Sequence, residues 1–213
     1  MEHTLTFSLR LVAICIVTLS VCNLHAAEKS PYKVGESLQK ENPATVAPNI
    51  AYKNLNWDEL SPADWDPLAA LKGLELDKLE DSDPRARDAL IAVGEAWKSA
   101  PIIPALNGQR VRIAGFVVPL DIDKNKVKEF LLVPYFGACI HVPPPPSNQA
   151  IHAINATNNH PQQNKILKDA ALIQGPVTII GKMRTMLTNT SLGSAGYKIQ
   201  IESIEAYKEV VNN

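Results

Sequence analysis

Hydrophobic and polar residues change period along this chain, and each change marks an element. Ala86, Leu90, Val93 and Trp97 recur at helical spacing, which predicts an amphipathic helix with one apolar stripe. Asp83 suits its N-cap and Pro84 its first helical position, and Pro101 and Pro104 stop it. Asn107-Gly108 is a turn signal. Beyond it the period falls to two: Val111, Ile113, Gly115 and Val117 alternate with Arg110, Arg112, Ala114 and Phe116, giving a first strand. Residues 129–135 read as a second strand and 150–156 as a third. Residues 161–172 read as a short helix, with Ile166, Leu167 and Ala170 on one side. Gly175-Pro176 resets the chain, and Val177, Ile179, Gly181 and Met183 begin a fourth strand. Tyr197, Ile199 and Ile201 alternate with Lys198, Gln200 and Glu202 in a fifth.

Three strands, a helix and two strands is the order of the small five-stranded Greek-key barrel called the OB-fold. The expected fold class is therefore mainly β: an OB-like barrel with an N-terminal helix and a short helix between strands 3 and 4. Gly115 and Gly181, inside the first and fourth strands, suit the bends that a small barrel needs.

The ends of the chain read differently. Arg10 precedes an uncharged apolar run, residues 11–21, and the small residues Ala26 and Ala27 follow. This pattern predicts an export signal over residues 1–27 and hence a periplasmic protein. Leu19-Ser20-Val21-Cys22 resembles a lipid-attachment box, with bulky Val21 where a small residue is expected. A lipid anchor or an uncleaved N-terminal anchor is the rival reading. Residues 28–80 are expected to form an irregular leader, in which Trp57, Leu60 and Trp65 are apolar enough to dock on the domain. Residues 81–207 hold the helix and barrel, and 208–213 a tail.

Charge narrows the function classes. The net charge is -1 and no run of Lys and Arg occurs, so a nucleic-acid partner is not expected.

Candidate chemistry gathers after the second strand. Removal of residues 1–27 takes Cys15 and Cys22 away and leaves Cys139 alone. His141 lies two residues on, and Pro143-Pro144-Pro145-Pro146 makes a stiff extended turn. If that segment is extended, Cys139 and His141 share a face. Thiolate and imidazole both bind zinc, and His152 on the returning strand supplies a third ligand if the register allows. The competing reading is a buried cysteine packed beside Phe136 and Ile140. Asn148 and Gln149 are expected to cap the turn. A cysteine nucleophile would need His141 within hydrogen-bond reach, which a regular strand does not provide.

The segments Val111-Arg112-Ile113-Ala114-Gly115-Phe116-Val117-Val118-Pro119-Leu120-Asp121, Phe130 through Pro146 with Asn148-Gln149, Gly175-Pro176-Val177 and Gly196-Tyr197 resemble a bacterial family called domain of unknown function 3299. Trp57-Asp58-Glu59-Leu60 is similar to the family's leader. The resemblance implies a secreted or lipid-anchored envelope protein associated with ABC-type transport systems, some linked to zinc. The expected function is a non-catalytic envelope accessory or binding protein, with Cys139, His141 and His152 as metal ligands and zinc as the candidate ion. The alternatives are an interaction module that docks a membrane transporter through the Pro143–Pro146 loop, and a thiol-dependent redox or catalytic protein using Cys139.

Overall fold

The computed structural model describes residues 31–38, 51–73, 83–123, 126–140, 142–155 and 175–208. Six strands are found among them: β1 (Lys53–Asn54), β2 (Arg110–Asp123), β3 (Lys126–Val133), β4 (Ile151–Asn155), β5 (Pro176–Asn189) and β6 (Ser194–Ala206). One α-helix, α1 (Pro84–Lys98), precedes β2. The hydrogen-bonded order is β1-β2-β3-β4-β6-β5, and β5 pairs back onto β2. Strands β2 to β6 thus close into the expected five-stranded barrel. The β4–β6 pairing is parallel and the other barrel pairings are antiparallel. The helix expected over 161–172, between β4 and β5, lies outside the described residues.

The inward positions follow the sequence alternation. Val111 and Ile113, Phe130 and Leu132, Ile151 and Ala153, Val177, Ile179 and Met183, and Tyr197, Ile199 and Ile201 form one buried cluster. Ile204 joins it although it lies three positions after Ile201, an odd step that alternation alone would turn outward. Ser203 pairs with Ile180 and Ile201 with Gly181, so the extra residue Glu202 makes a bulge that shifts the alternation. Gly181 stands at this bend: a Cβ there would lie 2.3 Å from the Gln200 carbonyl oxygen. No side chain fits between the two strands at that point.

A second cluster covers part of the barrel's outer surface. Phe116, Val118, Leu131, Val133 and Ala150 supply its base, and Tyr32, Leu38, Tyr135 and Phe136 pack over them. Tyr32 meets Phe116 edge-on with ring centroids 5.2 Å apart. The Gly35 N–H donates to the Phe136 carbonyl at 2.8 Å, and the Phe136 N–H to that of Glu36 at 2.9 Å. Part of the irregular leader is thereby pinned to the barrel.

The second described piece of leader docks through the residues the sequence singled out. Trp57 donates its indole N–H to the Ala114 carbonyl at 2.8 Å. Leu60 is fully buried. Trp65 is half-buried. β1, which the period did not reveal, pairs in parallel with β2 at Lys53↔Val111. Two residues are too few to show an alternation.

Helix α1 begins as predicted. Asp83 accepts a hydrogen bond from the Arg85 N–H at 2.8 Å, and Pro84 opens the helix. Its buried stripe keeps Val93, with Ala86 and Trp97 half-buried, but takes Ala89 in place of Leu90, which is 67% exposed. One residue turns the helix face by about 100°. With Ala89 turned inward, Leu90 is therefore carried toward solvent. The strands also run longer than their clearest alternation, with β5 and β6 continuing past the barrel as a hairpin.

Candidate functional site

The loop from β3 to β4 turns sharply before its proline run. Gly137 has φ 83° and Cys139 φ 66°. The Ile140 and Val142 N–H groups both donate to the Gly137 carbonyl at 3.3 Å. Cys139 therefore sits in a left-handed turn, and the extended segment assumed for a shared Cys139–His141 face is not formed there. A non-glycine residue in that conformation costs about 1–2 kcal/mol locally. Cys139 is half-buried against the outer cluster. Burial pushes its thiol up to about 11, so the protonated form prevails at neutral pH.

His141 lies outside the described residues. His152 sits on β4 directly opposite Leu131 of β3, and its side chain is 7% exposed. Its Nε2 lies 2.9 Å from Glu129 Oε2. A carboxylate only accepts, so the Nε2 proton points to Glu129. The buried Nδ1 has no hydrogen-bond partner among the described residues. No group of three His, Cys, Asp or Glu side chains converges as a metal site among the described residues.

Beyond the turn the proline run is extended, as its composition predicts. Pro146 has φ -51° and ψ 147°, close to polyproline geometry. The run is braced at both ends. Gly193, in the turn between β5 and β6, approaches Pro144 so closely that a Cβ there would lie 2.9 Å from Pro144 Cβ. Asn148 donates through Nδ2 to the Pro101 carbonyl at 2.9 Å. Gln149 donates through Nε2 to the Trp57 carbonyl at 3.0 Å and to Ser61 Oγ at 2.9 Å. These amides were expected to cap their own turn; instead they fasten it to the leader and to the segment after α1.

The ridge so formed separates two clefts. One, of about 460 Å³, is lined by Trp57, Asp58, Arg112, Tyr135, Pro146 and Gln149 among others. Burial, with a smaller contribution from Cys139, raises the Tyr135 phenol above its ordinary pKa. The other, of about 620 Å³, runs between α1, the prolines and the β5–β6 hairpin, with Trp97, Pro143, Pro144 and Leu187 in its walls. Pro145 lines both. The first cleft gathers residues from segments that carried the family resemblance, although up to about ninety positions separate them. The second was not legible: Trp97 read as core, and Leu187 lies beyond the clear alternation of β5.

Residues 57–206 match the family described as protein of unknown function DUF3299. The crystal structure of a DUF3299 family protein from Pseudomonas aeruginosa PAO1 is 31% identical, covering 75% of this chain and 98% of that one, with a TM-score of 0.52. Two crystal structures of asparaginyl-tRNA synthetase from Pyrococcus horikoshii, one complexed with asparaginyl-adenylate, are each 16% identical. They cover 50% of this chain and 21% of theirs, with TM-scores of 0.27 and 0.28, too low to carry an argument. No curated protein matches.

Proposed function

We propose a non-catalytic binding role for this chain, which belongs to the DUF3299 family of proteins of unknown function: an exported envelope accessory protein that docks a partner, an ABC-type transporter component, across its proline ridge. The observation that carries the reading is the braced run Pro143–Pro146, held between two clefts by Gly193, Asn148 and Gln149. A pre-stiffened surface loses little conformational freedom when it binds, so more of its contact energy appears as affinity. The raised pKa of Cys139 supports binding over thiol chemistry, because a nucleophilic cysteine needs the opposite shift. The test replaces Pro144 and Pro145 together by Ala and measures capture of the purified transporter component. Retained folding with at least ten-fold weaker capture supports the reading; unchanged capture rejects it.

One observation favours a second reading, zinc handling through Cys139, His141 and His152. A histidine whose one ring nitrogen donates to a carboxylate has the orientation typical of a metal ligand, and His152 is held this way by Glu129. Calorimetric titration with zinc, repeated on His152→Ala, tests it. Equal affinity in both proteins removes His152 from the set.

A further inference from the structure

The sequence has no basic run, yet the closed sheet assembles one. Outward-facing residues on β5 alternate with the core-facing Gly181 and Met183: Lys182, then Arg184, then Met186. Arg110 of β2 lies directly opposite Lys182, and Lys198 of β6 directly opposite Arg184. Like charges directly opposite on neighbouring strands destabilise a sheet. Here two such pairs adjoin on one face. Arg110 is relieved by an ion pair with Glu202. Lys182, Arg184 and Lys198 have no anionic partner among the described residues. Lys182 and Arg184 are exposed and Lys198 is half-buried.

The cationic stripe continues into apolar surface. Met186 is 44% exposed and Leu187 54%, in the stretch where β5 has left β2 behind. A face with uncompensated cations beside exposed aliphatic side chains matches an interface of phosphate headgroups over acyl chains. A single-stranded nucleic acid fits less well, because stacking needs exposed aromatic rings and neither residues 182–187 nor 198–202 include one.

We propose that the outer face of β5 and β6 docks onto an anionic lipid bilayer, with Lys182, Arg184 and Lys198 against the headgroups and Met186 and Leu187 at the acyl boundary. This surface shares Leu187 with the cleft beside the proline ridge, but its test uses lipid vesicles alone and does not involve the ridge's partner.

The experiment measures partitioning of the full chain onto vesicles of equal phosphatidylglycerol and phosphatidylcholine, and onto pure phosphatidylcholine vesicles. Tighter binding to the anionic vesicles, weakening with salt, is expected. The double variant Arg184→Gln/Lys198→Gln should lose roughly five-fold for each cation removed, with no loss of thermal stability because it relieves a repulsive pair. Met186→Ser/Leu187→Ser should weaken binding without changing its salt dependence. Equal binding to both vesicle types overturns the proposal, since an apolar N-terminal tether would hold both alike. Unchanged binding of the charge variant overturns it too. So does displacement from anionic vesicles by a twenty-base single-stranded oligonucleotide at equal phosphate concentration, which would mark a general polyanion surface.

Discussion

The hydroxyl of Tyr197, on β6 inside the barrel, donates to the carbonyl of Leu60 in the leader at 2.7 Å and accepts from the Ile103 N–H at 2.6 Å. Tyr197 and Leu60 are both fully buried. One phenol thus ties the core to the leader and to the segment after α1. Tyr197→Phe keeps the ring and strands two buried backbone groups, at a cost of ~2 kcal/mol. The check is a urea unfolding midpoint; no change in it would mean that neither bond contributes.

Gly181 and Gly94 should respond to alanine in opposite directions. A Cβ at Gly181 meets the Gln200 carbonyl, whereas one at Gly94 in α1 meets nothing within 4 Å. Gly181→Ala is expected to cost several kcal/mol through strand separation, about 3 or more. Gly94→Ala should stabilise by ~1 kcal/mol through helix propensity alone. Thermal melts of the two variants check both signs.

The Gln149 amide holds the leader at Trp57 and Ser61. Gln149→Ala removes both bonds and should cost ~1–2 kcal/mol. Because the loss falls on one segment, cleavage within residues 61–73 should accelerate under limited proteolysis before global unfolding does. Equal cleavage rates in both proteins would show that Trp57 and Leu60 suffice to hold it.

Cys139 sets a pH dependence of known sign. Burial pushes its native thiol up to about 11, above the ordinary thiol value of 9.0. Between these values the unfolded chain has lost a proton that the native state keeps, so stability falls as pH rises through that window. The contribution is fully present below about pH 8.5. Cys139→Ala should flatten the dependence between pH 9 and 11, and alkylation of the native thiol at pH 7 should be slow. A thiol that alkylates as fast as a free one would place Cys139 in solvent.

The turn around Cys139 shows where sequence reasoning stopped. Proline stiffness was readable because it is a property of the residue itself. The left-handed φ of Cys139 was not, since residues other than glycine enter that region only when their surroundings impose it. Likewise His152 was placed on the correct strand, but its pairing with Glu129 depends on neighbouring β3. The stripe of α1 was legible at Ala86, Val93 and Trp97; that Ala89 rather than Leu90 completes it was not, because the docking surface, not the helix, selects which flank is covered.

Alternation along each strand is local, so the chain itself dictated which residues turn inward and in what order the barrel strands follow. The meeting of Arg110 with Lys182 and of Arg184 with Lys198 was decided only by tertiary structure. Along one strand a period of two puts only Lys182 and Arg184 of this group on a common face. Closing the sheet sets a register between residues far apart in the chain, and that register concentrates charge which the composition shows as balanced.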